Sequence, residues 1–309
     1  MNTALDPVQA AFYGQFVAAA YEMYRVDEKD LRPAAKKIPA GWELSAWINM
    51  SDFLFQITEP KFYGIVVHEV EKPDNRIIAI RGTEGIVEWL DDAASILMVP
   101  FRQVPSAGRV AFGFDNIYST MKVVPVPHAA AGVEAAIEPE LVGSFGDQLE
   151  QLALRREAER GVAHDFAEGR TRRERPTVVS SHSLGGALAT LFVVENSMKG
   201  KFDITLSSTL ASPRVGNLEF KHLFDALPLT SWRIVNLRDV VPKLPPTIPF
   251  VLDYEHVAEA YPFDSRLFAK KNLGCYHNID TYLHWLDRSS PLSAECVAGA
   301  TTGARSTRG

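Results

Sequence analysis

The sequence predicts an α/β fold with a mostly parallel central sheet flanked by helices. Three observations carry that expectation. Short β-rich runs recur along the chain, helical patterns separate most of them, and runs such as Val66-Val67 and Ile77-Ile78-Ala79-Ile80 are continuously apolar, as strands buried on both faces must be. The elements follow in order. Residues 7–25 read as an amphipathic first helix, closed by the Pro/Gly punctuation from Pro33 to Gly41. Strands are expected at 63–70, 76–81, 177–181, 204–210 and 232–236. The stretch 123–143, rich in Pro, Ala, Val and Gly, reads as a surface excursion. By contrast, 145–166 places Phe145, Leu149, Leu152 and Ala153 at helical spacing and reads as a helix leading into the next strand. Apolar helical patterns return at 187–194 and 278–287, and from Pro291 the composition turns to Ser, Thr, Gly and Ala.

A chain of 309 residues lies near the upper limit for one hydrophobic core. The expected organisation is therefore a single domain over residues 1–290, with an insertion at about 123–175, followed by a flexible tail over 291–309. The net charge of −6 argues against a nucleic-acid partner. Seven arginines between Glu150 and Pro176 are matched by six acids, which reads as a solvated helical face. With only two cysteines, Cys275 and Cys296, the second in the expected tail, no disulfide framework is predicted and activity is expected to be independent of disulfides. The first positive charge is Arg25, so the N-terminal apolar run reads as a helix and not as a signal peptide. No apolar run of about eighteen residues occurs, so no transmembrane segment is expected. The protein is expected to be soluble, and cytoplasmic unless a signal was removed. The eight histidines lack metal-ligand spacing, and neither a phosphate loop nor a dinucleotide fingerprint is present. No metal or cofactor is expected.

Chemistry concentrates at Ser181-His182-Ser183-Leu184-Gly185-Gly186, between a β-rich run and an apolar helical one. A serine at a tight strand-to-helix turn is a nucleophile elbow, and the turn demands small neighbours because the helix must pack closely on the sheet. The usual pattern has glycine two residues before the nucleophile; this chain has Ser181. A serine needs a histidine base and an acid to orient it, in the chain order Ser, acid, His in α/β-hydrolases. Asp239 follows the strand at 232–236, where open α/β sheets carry functional groups. Three later histidines compete for the base. His277 precedes a helix on an expected loop, His256 is the serious rival, and His284 lies within the helix and is expected to pack or cap.

At these residues the chain resembles the class 3 lipases, the fungal-type triacylglycerol lipase family with its plant and bacterial relatives. The matching blocks are Ile80-Arg81-Gly82-Thr83, Ile86 to Trp89 with Asp92, Gly113-Phe114 with Tyr118, Ser181 to Ala187, Ser212-Pro213-Arg214-Val215-Gly216-Asn217, Asp239 to Pro245 and Tyr276-His277-Asn278. The resemblance implies an α/β-hydrolase fold and a Ser183, Asp239, His277 triad. It also implies an oxyanion hole formed by Thr83 and the Leu184 amide, and His256 as a structural histidine. Thr83 has a physical reason to serve, since it follows Gly82 at the end of a buried strand and its amide and hydroxyl can point over the sheet edge. The segment 84–98 resembles the family's lid, with Trp89 on one side of a short amphipathic helix. The expected function is a serine carboxylic ester hydrolase, a lipase acting on acylglycerols at a lipid–water interface. A phospholipase A1, a galactolipase or a feruloyl-type esterase would use the same residues. A lipase-like scaffold that binds without turnover is the alternative outside enzymology.

Overall fold

The computed structural model describes residues 4–51, 59–83, 97–127, 139–161, 175–247 and 253–298. Helix α1 (Pro7–Val26) starts behind Asp6, whose carboxylate accepts the Gln9 amide at 3.0 Å and so satisfies one of the free N–H groups of the first turn. It is followed by β1 (Trp42–Met50), β2 (Lys61–Glu69), β3 (Arg76–Ile80), β4 (Met98–Pro100), β5 (Arg109–Ala111), α2 (Phe112–Ser119) and β6 (Lys122–Pro125). Then come α3 (Phe145–Glu159), β7 (Pro176–His182), α4 (Leu184–Lys199), β8 (Asp203–Leu210) and α5 (Leu218–Asp225). The remaining elements are β9 (Thr230–Asn236), β10 (Ala260–Phe263), α6 (Leu273–His277) and α7 (Ile279–Leu286).

The main sheet has the order β10-β9-β8-β7-β3-β2-β1-β6. From β10 to β3 every neighbouring pair is parallel, and from β3 to β6 every pair is antiparallel. Connection length explains the division. Only about six residues join β2 to β3, enough for a hairpin, whereas a parallel crossover needs a dozen or more. Strand β3 shows how both faces are covered. Ile78 and Ile80 join a core with Phe114, Phe145, Leu188 and Phe192, while Ile77 and Ala79 join a second core with Phe16, Tyr21, Tyr282 and Leu283. The period of two along a strand thus divides one apolar run between α2–α4 on one side and α1 with α7 on the other.

Four sequence expectations change. Residues 123–125, the start of the expected surface excursion, belong to edge strand β6, with Val123 paired to Ile48 and Val124 to Trp47; the Pro-rich composition concealed two β-branched residues in register with β1. The arginine-rich helix face is not wholly solvated. Glu157 is fully buried and holds Arg175 at 2.8 Å and Arg76 at 3.8 Å, tying α3 to the first residues of β3 and to the segment entering β7. Cys275 and Cys296 form a disulfide. Two cysteines in a long chain could not reveal this, because their approach depends on the turn after β10. There Lys270 donates its amide to the Cys296 carbonyl at 2.8 Å and Ala269 bridges Val297. The chain after Pro291 is consequently not a loose tail as far as residue 298: Cys296 is 1% exposed, and Asn278 Nδ2 donates to Ser293 Oγ. Most of the expected lid, residues 84–96 with Trp89, lies outside the described residues. Among the described residues no helix is long and apolar enough to cross a membrane.

Candidate active site

Strand β7 ends at His182 and α4 begins at Leu184, so Ser183 alone makes the turn, with φ 57° and ψ −129°. A non-glycine residue there costs on the order of 1–3 kcal/mol, retained only where the surroundings enforce it. They do so here. The Ser183 amide donates to the Leu210 carbonyl at 2.9 Å, and its carbonyl accepts the Gly186 amide at 2.8 Å. Gly185 permits the close approach of helix to sheet, since a Cβ there would stand 2.4 Å from the Ile80 carbonyl oxygen. Ser181, where glycine is usual, fits but buries a hydroxyl with no hydrogen-bond partner among the described residues. Ser183 also heads a helix of 16 residues whose first amides, Leu184 included, concentrate positive potential at the hydroxyl.

Asp239 lies in the turn after β9, with its amide on the Asn236 carbonyl at 3.0 Å. One carboxylate oxygen accepts the Val241 amide at 3.0 Å. The other accepts Nδ1–H of His277 at 2.7 Å and the hydroxyl of Tyr282 at 2.7 Å. Because Nδ1 donates to a carboxylate, Nε2 is the ring nitrogen left to act as a base. That nitrogen is buried and has no hydrogen-bond partner among the described residues. His277 is the last residue of α6, not part of a loop as expected, and Asn272 caps that helix by accepting the Cys275 amide at 2.7 Å. Burial and the Asp239 charge push the Tyr282 hydroxyl well above its ordinary pKa, so it remains a donor.

Several supporting residues carried no recognisable signal in the sequence. Tyr282 is one. Asn236 is another: its Nδ2 donates to Ser265 Oγ at 2.8 Å and to the Tyr276 carbonyl at 2.7 Å, holding the residue before His277. His182, beside the nucleophile, meets the His277 carbonyl through Nε2 at 2.8 Å and Tyr21 Oη through Nδ1 at 2.8 Å. A carbonyl only accepts, so Nε2 of His182 bears the proton and Tyr21 donates to Nδ1. Burial first, then the neighbouring His277, lowers the His182 pKa well below the ordinary range and keeps the ring neutral.

Thr83 is half-buried directly after Gly82, and a Cβ at Gly82 would lie 2.5 Å from Ser183 Cβ. Gly82, the residue before Thr83, thus packs against Ser183, and Leu184 follows Ser183 directly as the first residue of α4. His256 is elsewhere in its bonding. Its Nε2 donates to the Pro242 carbonyl at 2.6 Å, and burial, with Arg233 nearby, lowers its pKa to about 3. His284 Nδ1 meets the Ser290 carbonyl at 2.7 Å beyond its helix, a packing role as expected. The assembly offers a hydroxyl at a helix N-terminus, an imidazole with its second nitrogen unengaged, and a carboxylate that orients the imidazole. These are the parts of nucleophilic acyl transfer.

Comparison with known proteins agrees with this chemistry. Residues 77–248 match the family model for lipase (class 3), more than half of the chain. Phospholipase A1-II 4 of Oryza sativa subsp. japonica is 30% identical over 221 residues, 67% of this chain and 49% of its own length. Phospholipase A1-Igamma3, chloroplastic, of Arabidopsis thaliana is 29% identical over 242 residues, covering 68% of this chain and 42% of its own. The chain thus spans about half the length of these curated relatives. The structure of Rhizomucor miehei triacylglyceride lipase superposes with a TM-score of 0.53 at 19% identity, over 84% of this chain and 81% of that one. That likeness establishes the α/β-hydrolase fold.

Proposed function

Starting from its membership of the class 3 lipase family, we propose that this chain hydrolyses carboxylic esters of lipids, with acylglycerols as the substrate class, through an acyl-serine intermediate. The observation that carries the reading is His277, bound to Asp239 at 2.7 Å through Nδ1 with its buried Nε2 unengaged, its ring centroid 4.6 Å from that of His182, the neighbour of Ser183. Nε2 takes the proton of Ser183 Oγ as Oγ attacks the ester carbonyl. The amides of Leu184 and Thr83, with the Thr83 hydroxyl, receive the oxyanion. The imidazolium, steadied by Asp239, delivers the proton to the departing alcohol, and water reverses the sequence to release the fatty acid. The segment 84–98, with Trp89, is assigned as a cover that yields to a lipid–water interface, on the family resemblance.

A second reading, phospholipase A1 activity, is favoured by the plant relatives, which are named as phospholipases A1. The disulfide between Cys275 and Cys296 supports an oxidising compartment over the cytoplasm expected from the sequence. A fluorophosphonate probe and a substrate panel test these readings. Wild type labels at Ser183 and Ser183→Ala does not; hydrolysis of tributyrin and glyceryl esters exceeding that of phosphatidylcholine supports the lipase, and the reverse order supports the phospholipase. Absence of labelling in folded wild type rejects both and leaves a binding scaffold.

A further inference from the structure

The guanidinium of Arg81 is a buried charge to which the reaction scheme gives no task. Arg81 is 1% exposed, and among the described residues no carboxylate pairs with it. Its Nε and Nη2 donate to the Phe62 carbonyl at 3.0 and 2.6 Å, and its Nη1 donates to the Gly82 carbonyl at 2.7 Å. Tyrosine rings surround it, with centroids 3.5 Å away for Tyr24, 4.2 Å for Tyr63 and 5.8 Å for Tyr21. A buried cation without a counter-ion is costly, and ring faces and carbonyls offset that cost. Arg175, by comparison, is buried against a carboxylate, Glu157. At Arg81 the charge is kept but directed at a backbone carbonyl.

That carbonyl belongs to the turn touching the nucleophile. A Cβ on Gly82 would lie 3.0 Å from Ser183 Oγ and 2.9 Å from Tyr21 Oη. The Gly82 amide donates to Tyr21 Oη at 2.8 Å, and the Tyr21 hydroxyl donates onward to His182. Gly82 is therefore gripped on both sides, its N–H by Tyr21 and its C=O by Arg81.

We propose that Arg81 and Tyr21 are positioning residues for the oxyanion donor, with Arg81 acting through the Gly82–Thr83 peptide. In a trans peptide C=O and N–H point in opposite directions, so a carbonyl held on the guanidinium aims the Thr83 N–H away from it. Electron density drawn toward that carbonyl makes the Thr83 N–H a stronger donor, because hydrogen bonds in series polarise one another. Tyr21 prevents the preceding peptide from turning as charge develops, so the donor is in place before the oxyanion forms. The charge of Arg81 thus reaches the transition state through one peptide, without contact with substrate. This inference rests on the ester-hydrolase reading.

The test measures kcat and KM on soluble p-nitrophenyl butyrate, together with Ki for a trifluoromethyl ketone of the same acyl length, whose hemiketal places an oxyanion on Ser183. Arg81→Met should lower kcat by roughly 10²-fold, with KM within about threefold of wild type and Ki weakened in proportion to kcat. Tyr21→Phe keeps the ring and should lower kcat and ketone affinity together by about tenfold. If Arg81→Met does not fold, Arg81→Lys and Tyr21→Phe are read by the same criterion. A folded variant whose kcat is unchanged, or falls without loss of ketone affinity, overturns the proposal. The wild type separates the two levels of argument: active wild type with indifferent variants sinks only the positioning role, whereas wild type that neither labels nor turns over sinks the hydrolase reading and this inference with it.

Discussion

Two histidines, His277 buried and His256 half-buried, lean on the same loop and use it differently. His277 donates to the carboxylate of Asp239 at one end of that loop, and His256 donates to the carbonyl of Pro242 three residues later. Each ring has a second, buried nitrogen without a hydrogen-bond partner among the described residues, Nε2 in His277 and Nδ1 in His256. In residue type and tautomeric constraint they are near equals. They differ in what an extra proton would meet. Protonated His277 faces a carboxylate able to steady the charge, whereas protonated His256 faces a carbonyl dipole, with Arg233 and Arg214 raising the cost. A buried histidine becomes a base through its acceptor, and a carbonyl in that place makes a brace.

The widest separation between the two regions lies in turnover. Ser183→Ala and His277→Ala should each lower kcat on a short ester by a factor on the order of 10⁶, and the double variant scarcely more, because the residues act as a unit. Asp239→Asn should lower it by roughly 10⁴ by turning the carboxylate acceptor into an amide. His256→Gln should stay within about tenfold of wild type. Steady-state kinetics on folded variants checks this, and a folded His256→Ala as inactive as Ser183→Ala beside a working His277→Ala reverses the assignment.

A smaller effect belongs to the donor side. Thr83→Val retains the amide and removes the hydroxyl, so kcat should drop about 10²-fold with KM little changed. Near-normal kcat would show that backbone donors suffice.

Smaller still in kinetics, but measurable in stability, is the support around the histidine helix. Reducing the Cys275–Cys296 disulfide should cost roughly 3 kcal/mol by releasing a closed loop of about twenty residues. Denaturant unfolding with and without dithiothreitol measures it; an unchanged midpoint with both thiols titrated free would remove the disulfide from the account.

The comparison is sharpest in pH dependence. The folded pKa of His256 is lowered to about 3 from an ordinary 6.5, so below pH 6.5 the unfolded chain binds a proton that the folded one refuses. Its contribution is intact above 6.5 and declines as pH falls toward 3. The neutral, buried His182 acts in the same direction. His256→Gln should therefore flatten the stability loss between pH 6.5 and 3 relative to wild type, and identical slopes in urea melts would contradict the burial argument.

The elements legible in the sequence were those with local causes. Ser183 announced itself because a strained turn between strand and helix admits only small neighbours, and the run at residues 77–80 announced β3 because a strand covered on both faces is apolar throughout. Asp239 was legible through its place after a strand. Choosing His277 over His256 was not possible from local composition, since both precede or enter ordered segments and both sit among aromatic and apolar residues. Edge strand β6 was hidden in Pro-rich composition, and the disulfide in a stretch that resembled a tail.

By itself, then, the sequence determined the alternation of strand and helix, the two-faced apolar strands and the elbow, all of which follow from periodicity and sterics within a few residues. The family resemblance named His277 over His256, and only the tertiary structure decided that Tyr282 shares the carboxylate of Asp239, that Cys296 returns to Cys275, and that Tyr21 and Arg81 grip the turn before Thr83. The physical reason is distance along the chain. Tyr21 and His182 are 161 residues apart, and His182 and the His277 carbonyl 95. A hydrogen bond between such partners leaves no local trace in composition or period, because it exists only after the sheet has brought their elements together.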